Sequence, residues 1–316
     1  MEDVADVTSP NASFRTVIRL FSPHRLRGPV HVDIGFHGVR GSTPCACSAN
    51  QGYGGNTSCV VLEQPGHEPV VLDLGTGLRS FGDEWIERGR GPFEGHALVT
   101  HLHWDHVQGL PFFAPLLCEG SRLDIWGPAP EGAPLRDAFS VFMAPPYFPI
   151  TLDDLAADIE FHDLAPGTVM VGGAEVRAGA VPHRGTTFGY RVRMGDGPVV
   201  AYVPDHQQPL NGSMDVDPGV VELCRGADVL IHDAQFTPAE FAGKSDWGHC
   251  TVEYALRVAA ASEVGRLVLF HHDPGHDDDT LDAMLDEAVR HPLATSITEV
   301  LAAREGMTLH CVATPR

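Results

Sequence analysis

The sequence feature that most constrains this chain is the stretch VTHLHWDHVQG at residues 99–109, which begins at the end of an apolar run. It contains His101, His103, Asp105 and His106 within six positions. Alternate side chains of an extended segment point to the same side, and the Asp-His pair turns two more groups back toward that side. Four imidazole or carboxylate groups do not share an apolar core unless they are paired or bind metal. The stretch therefore predicts one loop that serves two adjacent metal ions.

Residues of the same chemical type also follow three other apolar runs. His183 comes just after AEVRAGAV, Asp205 ends the run PVVAYVPD, and His271 follows RLVLF. The carboxyl-terminal edge of a sheet is where α/β folds assemble their sites. We therefore expect these three side chains to join the loop at residues 99–109 and to complete a dinuclear metal site.

The wider sequence pattern alternates short β-rich runs with helical segments. Further β-rich runs are HVDIGFHG, NTSCVVLEQ, PVVLDLGTG, HALVTH, SRLDIWG, TTFGYRVRM and ADVLIHDA, and most are bounded by Gly, Pro or Asp. Helical patterns cover residues 78–90, 217–226, 237–243, 251–263, 277–291 and 296–304. Because runs such as VVLDL and LVLF are apolar on both faces, helices are expected to cover the sheets. The pattern predicts an α/β fold.

Pro-rich segments suggest how the chain is organised. Residues 1–28 are expected to form an irregular N-terminal arm, and residues 29–316 a single domain, because no linker interrupts them. Residues 128–160 contain PAPEGAP and APPYFP and are predicted to be an insert over one end of the sheet. Its aromatic side chains either pack the insert onto the body, which we favour, or wall a pocket: Phe139, Phe142, Tyr147 and Phe148.

Charge limits the partners that the chain can have. It has 21 Lys and Arg against 42 Asp and Glu, a formal net charge of -21. Such a chain repels polyphosphate, which disfavours long nucleic acids and anionic membranes as partners. We find no apolar run long enough to span a bilayer and no secretory signal pattern, and the seven cysteines suit reduced thiols. A cytoplasmic location without a membrane partner is expected.

These residues together make the chain resemble the metallo-β-lactamase superfamily, over residues 33–275. The resemblance implies one hydrolase domain folded as a four-layer αββα sandwich, with the metals at the edge of its two sheets. It implies that His101, His103 and His183 bind the first metal, that Asp105, His106 and His271 bind the second, and that Asp205 bridges them. Asp73 in VLDLGTG matches the family's aspartate that supports the metal loop.

Three further stretches resemble the phosphodiesterase branch of that superfamily, which includes ribonuclease Z and the phosphoribosyl cyclic phosphodiesterases. They are RGSTP followed by GGNTSC, LIHDAQF at 230–236, and WGHCT at 247–251. The resemblance implies that Asp233 orients His249, which protonates the leaving oxygen, so the predicted catalytic residues are Asp105, Asp233 and His249. The alternative is that His249 only caps the helix that begins near Thr251.

The implied cofactors are two divalent metal ions, which activate a water for attack on phosphorus. Zinc is the first expectation, and the carboxylates also allow manganese or iron. Ribonuclease Z-like chains often continue the last ligand as HFSxRY, whereas this chain reads HHDPGH after Phe270, and its insert is not basic. We therefore expect a small phosphodiester, most plainly a cyclic nucleotide, and a homodimer as the assembly.

Other functions remain open from the sequence alone. The same metals serve hydrolases that attack a carbonyl or another electrophilic carbon, in a lactone, β-lactam, thioester or halide, but such chemistry does not require the Asp233 and His249 pair. A ribonuclease Z-like endonuclease is a further alternative. A binding module that only senses a nucleotide would have lost bridging or acid groups, and none is missing. The acidic, His-rich run at 272–279 is expected to be a solvated face and a helix start rather than another metal site.

Overall fold

The strands assemble into two sheets in the computed structural model, which describes residues 30–313. The first sheet contains β1 His31–Gly38, β2 Cys59–Glu63, β3 Val70–Leu72, β4 Glu94–Leu98, β5 Arg122–Pro128, β6 Asp158–Leu164 and β14 Thr308–Val312. The second contains β7 Gly167–Val171, β8 Ala174–Ala180, β9 Phe188–Met194, β10 Val199–Val203, β11 Val229–Asp233, β12 Arg266–Phe270 and β13 Glu299–Ala302. The predicted arm at residues 1–28 lies outside the described residues.

The two sheets have the same arrangement of strand directions. The strand order is β14-β1-β2-β3-β4-β5-β6 in one and β13-β12-β11-β10-β9-β8-β7 in the other. Strands β3 to β6 run parallel to one another, and so do β10 to β13, whereas the other pairs are antiparallel. In both sheets, the loops that follow the parallel strands therefore leave from one common edge.

Helices cover the outer face of each sheet. They are α1 Gly77–Glu87, α2 Trp104–Val107, α3 Leu135–Phe142, α4 Pro218–Cys224, α5 Pro238–Lys244, α6 Val252–Ala261 and α7 Asp278–Arg290. Residues of α1 and α3 pack on the first sheet, and residues of α4, α6 and α7 pack on the second. A third apolar cluster, with Ile34, Val192 and Ile231, fills the space between the sheets. The predicted four-layer αββα sandwich is confirmed.

Some predicted elements were wrong or incomplete. The segment at 296–304 is not a helix, because its central residues form β13, in which Val300 pairs with Leu267 of β12. The predicted insert at 128–160 contains α3, and its last residues begin β6, which pairs along β5. Phe139 is fully buried and contacts Phe161, so it packs the insert onto the sheet as favoured.

The run at 272–279 also differs from its prediction. His272, Asp273 and His276 are buried rather than solvated, and the fully buried Arg40 donates from Nη1 to the carbonyl oxygens of Asp273 (3.1 Å) and His276 (2.7 Å). Only the predicted helix start is correct, because Asp277 caps α7 by accepting from the Thr280 N–H. Arg40 thus holds the turn that follows the metal-binding candidate at the end of β12.

The apolar layer between the sheets predicts a large cost for truncating its side chains. Ile231→Ala should lower the free energy of unfolding by about 2 to 5 kcal/mol, because it leaves a cavity among packed neighbours. Ile86→Ala makes the same chemical change at a half-exposed position of α1 and should change stability by less than about 1 kcal/mol. Urea unfolding at fixed metal concentration measures both, and equal losses would contradict this packing.

Candidate metal centre and active site

Asp73 anchors the loop that carries the first ligand candidates. Its carboxylate is fully buried and accepts bonds from the Thr100 N–H at 2.7 Å and from the Tyr202 hydroxyl at 2.9 Å. It also bonds the Nδ1 of His106 at 2.7 Å. Because Tyr202 belongs to β10 and Thr100 follows β4, one carboxylate joins the two sheets beneath the site. Asp73 has the supporting position that the family resemblance implies.

The first ligand group consists of three imidazoles. His101 Nε2 lies 2.8 Å from His103 Nδ1, and His183 Nε2 lies 3.3 Å from that same atom. His101 and His103 follow β4, whereas His183 follows β8 of the other sheet. Nitrogens that share one tetrahedral cation at about 2.0 to 2.1 Å lie about 3.3 to 3.4 Å apart, which the spacing of His103 and His183 matches and the spacing of His101 and His103 falls somewhat below.

The second ligand group lies beside the first. His271 Nε2 is 3.1 Å from Asp105 Oδ2 and 3.3 Å from His106 Nε2. Asp205 lies between the groups, with Oδ1 3.6 Å from His183 Nε2 and Oδ2 3.1 Å from His106 Nε2. Asp205 is 1% exposed, and its Oδ2 has no hydrogen-bond partner. A buried carboxylate with an orphaned oxygen fits a bridge between two cations.

Three of the imidazole ligand candidates have their other ring nitrogen engaged. His106 Nδ1 bonds Asp73, His183 Nδ1 bonds the Gly248 carbonyl at 2.7 Å, and His271 Nδ1 bonds the Gln235 Oε1 at 2.9 Å. Each of these bonds fixes the tautomer of its ring and leaves Nε2 free to bind a metal ion, as the outer partners of metal-binding histidines do. The donor set of imidazoles and carboxylates therefore fits divalent cations of the zinc class.

Burial and neighbouring charges set the protonation of this cluster. Burial lowers the pKa of His101 well below its ordinary value, and the nearby His106 lowers it further. Burial by itself would raise the pKa of Asp205, but the His271 and His106 imidazoles outweigh it and hold that pKa well below its usual range. Burial alone would likewise raise the pKa of Asp105, but the His106 and His271 imidazoles lower it. The carboxylates are thus ionised and ready to bind cations.

Asp233 and His249 form a separate pair beside the ligand groups. His249 Nδ1 lies 2.9 Å from Asp233 Oδ2, while the Asp233 carboxylate also accepts from the backbone N–H groups of His206 and Gln235, both at 3.0 Å. Burial lowers the pKa of His249, but the Asp233 charge outweighs it and raises that pKa above its ordinary value. The bond to Asp233 leaves Nε2 as the free nitrogen of the ring.

The capping alternative for His249 is wrong. Thr251 is the residue that caps α6, because its side chain accepts from the Tyr254 N–H. His249 is 7% exposed, and its ring stacks on His271 at 4.8 Å between centroids. Helix capping therefore does not explain why His249 lies beside the ligand groups.

A cavity of about 340 Å³ opens next to the first ligand group. It is lined by His101, Leu102, His103, Pro128, Ala129, Pro130, Glu131, Arg184, Gly185 and Thr186. The four residues at 128–131 belong to the predicted insert, so the insert borders the site. None of its aromatic side chains is among the lining residues, which corrects the idea that they wall this pocket.

The structure brings together all nine residues that the sequence predicts as metal ligands or catalytic groups. They form the two ligand groups and the Asp233–His249 pair. Sequence reasoning missed Gln235 and Tyr202, which position His271 and Asp73. It also missed the Ser42 N–H, which donates to Asp105 Oδ2 at 2.7 Å. Gln235 lies in LIHDAQF and Ser42 in RGSTP, so both stretches that signalled the resemblance also carry these contacts. For Tyr202, within an apolar run, the sequence contained no signal.

The family model of the beta-lactamase superfamily domain matches residues 89–272, more than half of the chain, so the chain belongs to that superfamily. It is a hydrolase of the metallo-β-lactamase fold, a fold that implies divalent metal ions. Within residues 30–313, no helix is long and apolar enough to cross a membrane.

Relatives and solved structures agree with this assignment. The chain is 28% identical to the uncharacterized protein Rv1339 of Mycobacterium tuberculosis, over 80% of this chain and 86% of that one. It is 26% identical to ribonuclease Z of Haloferax volcanii, over 75% of this chain and 83% of that one. The predicted resemblance to the ribonuclease Z-like branch is therefore confirmed.

Two solved structures share the fold at lower identity. The metallo-β-lactamase fold protein YhfI from Bacillus subtilis has a TM-score of 0.65 at 18% identity, covering 89% of this chain and 99% of that chain. A diphosphatase from the PhnP family has a TM-score of 0.62 at 17% identity, with the same coverage.

The contact between Gln235 and His271 generates a testable prediction. Gln235→Leu removes the acceptor for His271 Nδ1 and should weaken binding of a divalent metal by about 10- to 100-fold. Gln235→Glu keeps an acceptor oxygen at that position and should restore most of the affinity. Competition between the protein and a chelator measures both variants, and equal weakening by both would show that Gln235 acts only through packing.

Proposed function

We propose that this protein hydrolyses a small phosphodiester, most plainly a cyclic nucleotide, with two divalent metal ions, of which zinc is our first choice. The observation that carries this proposal is the Asp233–His249 pair beside the two ligand groups. Hydrolysis of a lactone, β-lactam or thioester does not need a separate acid, since a metal stabilises its oxyanion. An alkoxide leaving group does need one.

The proposed ligands follow the geometry of the two groups. His101, His103 and His183 hold one metal, Asp105, His106 and His271 hold the other, and Asp205 lies between them. Two cations in these positions supply a water nucleophile of lowered pKa and neutralise charge on the phosphate. The Nδ1 atoms of His106, His183 and His271 already have partners, so these three rings are oriented before substrate arrives.

His249 is the proposed proton donor. Its Nδ1 is fixed by the buried Asp233 carboxylate, which also stabilises the imidazolium form. Nε2 then donates a proton to the oxygen that leaves phosphorus, and Asp233 keeps the ring in position without taking part in the transfer. This division between donor and orienting carboxylate supplies typically 10²- to 10⁴-fold in rate.

The size and charge of the site favour a small substrate. A cavity of about 340 Å³ lies at the small end of the range for ligand pockets, of roughly 300 to 1,000 Å³. Arg184, whose guanidinium also bonds Asp246, lines this cavity and provides a cation for a phosphate or other anionic group. A net charge of -21 opposes the phosphate contacts that long RNA requires. The ribonuclease Z relatives favour RNA as the second candidate substrate.

We further propose that the protein is a cytoplasmic homodimer. Residues 29–316 of each chain would form one hydrolase domain. Support for an interface comes from large apolar side chains that are exposed on the loop and insert near the site: Trp104, Phe112, Leu117, Val141 and Tyr147. Phe112 contacts Phe148 edge to face at 5.9 Å and Trp104 contacts Phe142 at 5.6 Å, so these two exposed rings pack against rings of the insert.

A hydrolysis panel on metal-analysed protein tests the substrate class. We expect turnover of 3′,5′- or 2′,3′-cyclic nucleotides and bis(p-nitrophenyl) phosphate, and none of a lactone or β-lactam. Excess tRNA should barely inhibit, because the charge balance opposes polymer binding. Tight, salt-sensitive inhibition by tRNA would instead favour the ribonuclease, and turnover of only the carbon electrophiles would refute the phosphodiesterase.

The role of His249 predicts a difference between two leaving groups. His249→Ala should retain the metals, because His249 is outside the proposed ligand set, and should slow a substrate with an alkoxide leaving group about 10²-fold or more. On bis(p-nitrophenyl) phosphate the loss should be much smaller, because p-nitrophenolate hardly needs a proton. Steady-state rates on both substrates and the metal content decide it. Equal losses, or lost metal, would mean that His249 is structural.

A further inference from the structure

A second cluster of metal-binding side chains lies on the parallel strands of the first sheet, away from the catalytic loops. His96 of β4, Asp124 of β5 and Glu160 of β6 are direct neighbours across the three strands. His162 follows Glu160 by two residues and so lies on the same face. His96 is 6% exposed and Asp124 is 4% exposed, so this is a built arrangement and not a loose surface group.

One nitrogen of His96 is engaged and the other is orphaned. Nε2 lies 2.6 Å from the Glu68 carboxylate, whereas the buried Nδ1 has no hydrogen-bond partner and is 3.4 Å from Asp124 Oδ2. Gly172, with φ +51°, approaches so closely that a Cβ there would lie 2.0 Å from Nε2. The ring is therefore held with an unpaired nitrogen aimed at a carboxylate.

Asp124 also faces a second imidazole. Its Oδ1 lies 3.3 Å from His162 Nε2, and the His162 ring stacks on Trp126 at 3.8 Å. Arg122 Nη2 contacts both oxygens of Asp124, at 3.2 and 3.1 Å, from a side chain that is about half exposed. Glu160 Oε2 is 3.8 Å from His162 Nε2 and 3.9 Å from Arg122 Nη2.

Asp124 offers a different oxygen to each imidazole, Oδ2 to His96 Nδ1 at 3.4 Å and Oδ1 to His162 Nε2 at 3.3 Å. Both gaps are close to the spacing of about 3.3 to 3.4 Å between donor atoms that share a zinc ion at about 2.0 to 2.1 Å. An ion held by both oxygens would replace the Arg122 guanidinium, whose Nη2 now contacts the two of them. Glu68 on the far nitrogen of His96 corresponds to the carboxylate that commonly orients a metal-bound histidine. Glu160 is near enough to complete the coordination.

We propose that His96 Nδ1, Asp124 and His162 Nε2 bind a further divalent transition-metal ion of the zinc class, with Glu68 orienting His96. His96 precedes His101 by five residues, about 16 Å of extended chain, so this site is separate from the catalytic centre. The ion cross-links β4, β5 and the edge strand β6. It is a structural site and does not depend on the proposed function.

Zinc content after loading with Zn²⁺ and dialysis against metal-free buffer tests the site. His162→Phe keeps the stack on Trp126 but removes the nitrogen, and should hold one zinc ion per chain fewer than the wild type. Asp124→Asn keeps the side-chain shape and should lose the same ion. As a control, His310→Phe removes a histidine of edge strand β14 that pairs with Asp33 of β1. This variant should keep the zinc content of the wild type.

The one-ion difference is independent of the catalytic centre. Asp205→Ala should lower zinc occupancy there and nearly abolish turnover, yet His162→Phe should still remove one ion in that background. Zn²⁺ should also raise the Tm of Asp205→Ala. It should raise the Tm of the double variant with His162→Phe by less, because the zinc affinity of the proposed second site falls at least about 10-fold. Equal zinc content in wild type, His162→Phe and Asp124→Asn would overturn the proposal and leave an ion-pair network. Absence of phosphodiester turnover in the wild-type protein, with that one-ion difference intact, would count against the proposed function alone.

Discussion

The buried carboxylate of Asp73 is the interaction on which the site depends. It accepts from Thr100 and from Tyr202, and it bonds His106, so it joins the loop after β4 to a strand of the other sheet. A buried charge is costly unless it is fully bonded, and these partners supply the bonds. Loss of the carboxylate would release the metal loop and one contact between the sheets together. The packing of the two sheets and the geometry of the site therefore depend on the same carboxylate.

The ligand groups are divided between the sheets. His101, His103, Asp105 and His106 come from the first sheet, whereas His183, Asp205 and His271 come from the second. Each proposed ligand group takes side chains from both sheets, so binding of the proposed metal ions would be coupled to docking of the sheets. The same edge of the second sheet carries the Asp233–His249 pair, which is how the proposed proton donor comes to lie beside the candidate metal centre.

Local sequence determined much of the fold and of the candidate site. The ten β-rich runs and five of the six helical segments became elements because alternating or two-sided apolar patterns require burial whatever their neighbours are. The cluster in residues 99–109 could be identified because four such groups in six positions have no other stable use. The residues after β10 and β12 followed from the rule that parallel strands present their carboxyl ends together. His183 joins them because β8 is separated from β10 by two antiparallel pairings and so runs in the same direction.

Only the tertiary structure decided the remainder. Residues 299–302 include the helix formers Glu, Leu and Ala, yet pairing of Val300 with Leu267 makes them a strand, because backbone bonds and burial on the sheet outweigh a weak local preference. Strand β6 is different, because Ile159 and Phe161 alternate with polar residues, a strand pattern that sequence reasoning overlooked. Tyr202 on Asp73 and His96 facing Asp124 are contacts between residues 129 and 28 positions apart. Sequence can specify which side chains are able to bind a proton or a cation, but only folding fixes which of them meet, because that depends on how the strands are ordered.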